Sequence, residues 1–349
     1  MLFLEHGIAT VLFIAAIIYC CLLFSNAIEH LGLKLKLGNS ATGSILAVIG
    51  TCLPETIVPI VAIFASILFK TDLSIGQNVA QGAIIGSPFI LSTLALFLMG
   101  ILLVIKKKVP KELNVNYQNI IREYKYFLIA YIVAFGAIFV NSRFIKILIV
   151  CFLIGLYCFF VYRTIVKSKQ NFVESDIDTL IFSKIICIKK CCKHYKDECL
   201  KCDNIYITLL QIILSLVGLI VFSHLFVNEI KYFSLILNIN PLILSLLLAP
   251  IATELPEIVN SIIWLKQDKD ELAISNVVGA IVFQAMVPCS IGIMLTNWKF
   301  DTIALLNMIF VILCGVLFFT ICKIQKSIKL LPLLFCGLFY LGFLVLLIF

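Results

Sequence analysis

Two short segments hold the residues able to do chemistry. Thr51-Cys52-Leu53-Pro54-Glu55 and Thr253-Glu254-Leu255-Pro256-Glu257 share the pattern Thr-x-Leu-Pro-Glu, and each lies in the middle of a long apolar run. A charged side chain at the centre of an apolar membrane helix costs about 2.5–3.5 kcal/mol on insertion scales, so such residues default to a functional role. Glu55, Glu254 and Glu257 carry that cost three times over. Thr51 precedes Glu55 by four residues, Thr253 precedes Glu257 by four, and Glu254 and Glu257 are three apart; all these spacings place side chains on one helix face. Pro54 and Pro256 lack a backbone N–H and disturb the preceding turn, which frees carbonyls near positions 50–52 and at 252. Irregular backbone at membrane depth is tolerated where it lines a cavity. Hydroxyls, carboxylates and free carbonyls are hard oxygen ligands suited to Na+, Ca2+ or Mg2+, and carboxylates also take protons. Asn276 offers a further neutral oxygen. A single Pro-Glu reads as a kink beside a polar interface, but its recurrence in two matching helices argues for a cation site.

The elements that must position these groups follow from composition. Of 349 residues, 62% are hydrophobic and 13% charged, with a mean hydropathy of +1.14. A soluble domain is nearer half apolar and a quarter charged, so a water-soluble globular fold and a disordered chain are both excluded. Apolar runs fall near 7–29, 40–69, 74–104, 127–141, 144–162, 206–229, 240–264, 271–297, 302–321 and 329–348. At about 20 residues per crossing, they predict an all-α membrane protein of about ten helices. The first seven residues contain no Lys or Arg, so the N-terminus reads as a retained helix and not as a signal peptide.

Charge placement tests this count. With ten crossings, 22 of the 27 Lys and Arg residues fall on one side, chiefly in 106–125 and 163–205. Cytoplasmic loops carry the excess of basic residues, so both termini are expected outside and the basic loops in the cytoplasm of a plasma-membrane protein. The net charge of +8 then reflects topology and not a nucleic-acid surface. Division at the basic loop gives 1–162, the loop 163–205, and 206–349. Five helices per half make the halves antiparallel, the inverted-repeat plan of secondary transporters. The second pair of matching features supports it: Gly86-Ser87 then Phe89 in the third run, and Gly279-Ala280 then Phe283 in the eighth. Small residues at Gly82, Ala83, Gly86, Ser87, Gly279 and Ala280 allow close helix packing.

The two segments resemble the α-repeats of the cation/calcium exchanger superfamily, the sodium/calcium exchanger-like membrane proteins, in a divergent prokaryotic form. The resemblance covers about 38–100 and 240–297, and the ten-helix plan extends it along the chain. It implies helices 2, 3, 7 and 8 around a central ion site, with access alternating between the two sides. It also implies that Glu55 and Glu257 are the cation-binding glutamates, that Thr51 and Thr253 match the family threonines, and that Asn276 matches the Asn/Asp of the second repeat. Three positions depart. Cys52 and Glu254 stand where the family has serines, and Ala83 stands where the first repeat has Asn or Asp. Gln81, on a different helix face, is an additional candidate ligand. One carboxylate from the first repeat and two from the second favour divalent cations, with protons at least partly replacing Na+ as the coupling ion.

The loop at 163–205 holds Cys187, Cys191, Cys192, His194, Cys199 and Cys202. Cys199-x2-Cys202 has metal-ligand spacing, so Cys191, Cys192, His194, Cys199 and Cys202 form a candidate Zn2+ site; free thiols on a solvated basic loop are the alternative. His224 reads as a packed or interfacial residue. The expected function is an antiporter moving Ca2+ against Na+ or H+, with Na+/H+ exchange and a passive cation channel as alternatives. The bilayer and small cations are the expected partners, and a monomer suffices. No Gly-x4-Gly-Lys-Ser/Thr loop is present for nucleotide hydrolysis, and no enzyme motif is found.

Overall fold

The computed structural model describes residues 2–34, 52–68, 73–106, 112–168, 180–182, 205–237 and 239–348. They are almost entirely helical, with no strand among them. The helices are α1 (Leu2–Lys34), α2 (Leu53–Leu68), α3 (Leu73–Ile105), α4 (Tyr117–Gly136), α5 (Arg143–Ser168), α6 (Ile205–Leu237), α7 (Pro241–Lys266), α8 (Asp270–Leu295), α9 (Thr302–Gln325) and α10 (Leu330–Ile348). Among the described residues, seven are long and apolar enough to cross a membrane, or eight if the bent α7 is one span. The expected ten is therefore reached only by adding α2 and α4. α2 spans 16 described residues, and α4 opens on the polar stretch Tyr117 to Lys125.

Local chemistry sets the breaks. Asn240 caps α7 by accepting the Leu242 N–H at 2.9 Å, with Pro241 at the first helical position, where its missing donor is not needed. Asp301 caps α9 in the same way through Ala304 N–H at 2.9 Å. The two caps touch: the Asn240 amide donates to Asp301 Oδ2 at 3.1 Å. In α3, Pro88 removes a donor inside the helix, and a π-turn follows at Leu91–Ala95. Such turns mark sites where the helical ladder is disturbed. The hydroxyl of Thr93 donates to the Phe89 carbonyl at 2.5 Å. In α7, Pro241–Leu255 and Glu257–Lys266 meet at 46°. The break falls at Pro256, the usual cause of a sharp bend.

α2, α3, α7 and α8 form the centre. α3 packs most closely on α7, with α2 along its other side; α8 lies against α7, α4 and α5. Gly82 and Gly86 are what allow this. A Cβ on Gly82 would overlap the carbonyl oxygen of Leu242, and one on Gly86 that of Leu246. α1 and α6 pair with each other outside the centre, while α9 and α10 cover α3 from the other side.

The inter-helix connections gather into two groups. At one end, Lys106 Nζ donates to the Leu265 carbonyl at 2.7 Å and pairs with Asp268 at 2.8 Å. Asn114 N–H donates to Asp270 at 2.8 Å, and Leu113 N–H to the Ile328 carbonyl at 2.9 Å. At the other end, Lys146 donates to the Asn297 carbonyl at 2.9 Å, and His6 meets Glu229 at 2.8 Å while stacking on Tyr232.

Candidate cation site

The central helices bring the acidic residues together in the interior. Glu55 is 3% exposed, and Glu254 and Glu257 are fully buried. Cys52, immediately before α2, is fully buried as well. The sulfur of Cys52 and one carboxylate oxygen each of Glu55 and Glu257 all lie within 4.8 Å of one another. The Cys52 thiol points at Glu257 Oε1 from 3.9 Å. One residue before α2 and two helices half a chain apart thus build a single cluster.

Glu254 adjoins this cluster, its carboxyl within hydrogen-bonding reach of that of Glu55. Its Oε1 accepts the side-chain amide of Gln284 at 2.7 Å, and the Ser87 hydroxyl of α3 stands next to it. The charge of Glu254 still acts on Glu55, as does that of Glu257. Among the described residues, neither carboxylate oxygen of Glu55 has a well-formed donor, and the side chain within hydrogen-bonding reach of it is another carboxyl, that of Glu254. A buried charge left without a partner costs roughly 3–5 kcal/mol, so this group calls for a cation or a proton.

The other candidates take separate places. Thr253 turns its hydroxyl back onto the Ala249 carbonyl of its own helix at 3.4 Å. Asn276 donates to the Glu257 backbone carbonyl at 3.2 Å and to Ser261 Oγ at 3.0 Å. It therefore ties α8 to α7 directly behind a cluster glutamate. The Gln81 amide donates to Thr296 Oγ1 at 2.9 Å, at the end of α8, away from the carboxylates. Thr51 lies outside the described residues, as do Cys187, Cys191, Cys192, His194, Cys199 and Cys202 of the basic loop.

The prolines differ in their effect. Pro256 coincides with the break in α7. Pro54 falls in the first turn of the described α2 and not in a helix interior, where a missing donor is harmless. The proline inside α2 is Pro59. Its absent N–H removes the helical donor of the carbonyl four residues earlier, which belongs to Glu55.

Sequence reasoning missed Gln284. The signal was present: Gln284 is a second amide, beside Asn276, inside the apolar span Ala273–Leu295, and a buried amide needs a partner as a carboxylate does. Ser87 was read only as a small residue, and its hydroxyl beside Glu254 depends on how α3 meets α7.

The sodium/calcium exchanger protein family matches residues 6–166 and 207–349. No curated protein sequence matches the chain. Among solved structures, the H+/Ca2+ exchanger CAX superposes with a TM-score of 0.72 at 16% identity, covering 99% of this chain and 82% of that one. The sodium-calcium exchanger NCX_Mj, soaked with 2.5 mM Na+ and 10 mM Sr2+, gives a TM-score of 0.58 at 18% identity, with 98% of both chains covered. The same exchanger soaked without Na+ and Ca2+ gives 0.56 at 17% identity, with the same coverage. At these identities the likeness establishes a shared fold.

Proposed function

Because the chain belongs to the sodium/calcium exchanger protein family, a family of membrane ion exchangers and not of enzymes, we propose that it is a secondary antiporter exchanging Ca2+ for Na+ or H+ through the cluster at Cys52, Glu55 and Glu257. The observation that carries this reading is Glu55, buried beside two further carboxyls, Glu254 and Glu257, with no well-formed donor on either of its oxygens among the described residues. A transported cation balances that charge when bound, and protons or Na+ balance it on the return. Thr51, Thr253, Glu254 and Asn276 complete the cation-binding set, and Pro256 loosens the backbone beside it, as Pro59 does at the Glu55 carbonyl.

The packing supports an inverted-repeat reading. α1 lies on α7 as α6 lies on α2; α3 lies on α9 and α10 as α8 lies on α4 and α5. Exchange of the two halves maps these neighbours onto one another. Two antiparallel halves of this kind alternate access by moving one bundle against the other around a fixed site. The basic-residue asymmetry favours a plasma-membrane orientation in which the Lys106 and Asp268 end faces the cytoplasm and both termini lie outside.

The coupling ion follows from Glu254. A serine at that position would supply a neutral oxygen suited to Na+, whereas Glu254 supplies a protonatable one. Ca2+ uptake into proteoliposomes, driven separately by Na+ and by pH gradients, tests the reading. Uptake driven by the pH gradient is expected. Uptake with Na+ alone would overturn proton coupling, and uptake with neither would remove Ca2+ as the cargo and make Na+/H+ exchange the next trial.

A further inference from the structure

The cluster contains an atom that a Ca2+ site does not need. Cys52 Sγ stands among the carboxylate oxygens of Glu55 and Glu257, with all three atoms within 4.8 Å. Two ligand atoms on one ion, each roughly 2.0–2.6 Å from it, stand about 3–5 Å apart. The 3.9 Å between Cys52 Sγ and Glu257 Oε1 fits that separation. An independent observation points to a ligand in the same place: Glu55 is more than nine-tenths buried, aims an oxygen into the cluster, and has no well-formed donor on either oxygen among the described residues, its near neighbours being the carboxyls of Glu254 and Glu257.

The donor set is mixed. Hard cations such as Ca2+ and Mg2+ are served by oxygen alone, whereas thiolate selects soft and borderline metals. Resting on the antiporter reading above, we propose that Cys52 makes this a site for thiophilic divalent cations, bound in preference to Ca2+. Binding by the thiolate releases the thiol proton, as for any cysteine-ligated metal. Cd2+ is the suitable probe, since it is close to Ca2+ in size and the cage dimensions do not separate the two; the sulfur does.

The test uses the full chain reconstituted in proteoliposomes. Inhibition of Ca2+ uptake by Cd2+ is compared between wild type, Cys52→Ser, and Cys289→Ser as a buried-thiol control. Loss of an outer-shell partner already costs a metal site about 10- to 100-fold in affinity, so loss of the ligand itself should weaken Cd2+ relative to Ca2+ by at least about tenfold. Cys289→Ser should leave the ratio unchanged. An unchanged ratio in Cys52→Ser would overturn the proposal, and Cys52→Ala replaces it should the serine variant not purify as a folded protein. If wild type takes up no Ca2+ under any gradient, the antiporter reading fails and binding decides alone. In a Cd2+ titration of purified protein, a thiolate-to-metal absorption component lost in both Cys52→Ser and Glu55→Gln sustains the site. The same absorption retained in both variants removes it.

Discussion

Glu55 and Glu254 are both buried carboxylates, but their surroundings ask different things of them. Glu55 has no well-formed donor among the described residues and faces the carboxyls of Glu254 and Glu257, so in the absence of a cation its charge is an energetic burden. Glu55→Gln should raise the thermal stability of the cation-free protein at alkaline pH by about 1–3 kcal/mol, the cost of leaving a buried polar group unsatisfied. It should also remove the stabilisation that Ca2+ gives the wild type, which follows from binding to the folded state alone. Melting curves with and without Ca2+ measure both; a less stable cation-free variant would mean that Glu55 is held by something other than cargo. Glu254 has a partner in Gln284. Gln284→Leu should therefore lower uptake by about 10- to 100-fold, the usual cost of losing an outer-shell partner, and Glu254→Ser should remove the pH-driven component. A Glu254→Ser variant that kept proton coupling would show that the proton rides elsewhere. The carboxylates were legible in the sequence because a charge in an apolar run has no structural excuse. Their division into a cluster pair and a third held by Gln284 was not, since i and i+3 spacing fixes a helix face but not what that face meets.

At the scale of elements, apolar runs locate helices but misjudge their ends. The run near 127–141 begins ten residues after α4 does, because Tyr117–Tyr126 is amphipathic: Ile120 and Tyr124 are buried while Tyr117 and Arg122 are only partly so. The run at 206–229 likewise stops short of Leu237, since α6 continues through Glu229, which is paired with His6. The α4 extension is held by protein, whereas the α6 extension is packed only through Ile230, Phe233 and Ser234 and ends on the exposed Leu235, Ile236 and Leu237. The contact between α3 and α7 is the opposite case, foreseen in kind from the small residues and fixed by backbone geometry. Gly82→Val would press a branched side chain against the Leu242 carbonyl. Overpacking costs about 1–3 kcal/mol, and separation of α3 from α7 would also pull Ser87 from Glu254. Reduced thermal stability together with lost uptake is expected. Normal stability and transport would mean that the two helices have room to part.

For the whole molecule, the strongest statement joins charge to contact. The basic connections counted on one side of the membrane come from segments far apart in sequence. Three of them meet in space: Lys106 reaches the end of α7, Asn114 reaches the start of α8, and Leu113 pairs with Ile328. At the opposite end, Lys146 reaches Asn297 and the caps of α7 and α9 touch, all in segments counted on the poorly basic side. Such agreement would fail if one of α4 to α9 were not a crossing, because one false crossing transfers every later loop to the wrong face. The orientation of that arrangement rests on the positive-inside rule alone and is open to a direct check. An epitope inserted between Asn297 and Asp301 should be reached by antibody on intact cells, and one between Gln267 and Asp270 only after permeabilisation. The reverse pattern would invert the protein in the membrane while leaving the site untouched. Label at both positions on intact cells would break the count itself, and with it the antiparallel relation of the halves on which alternating access depends.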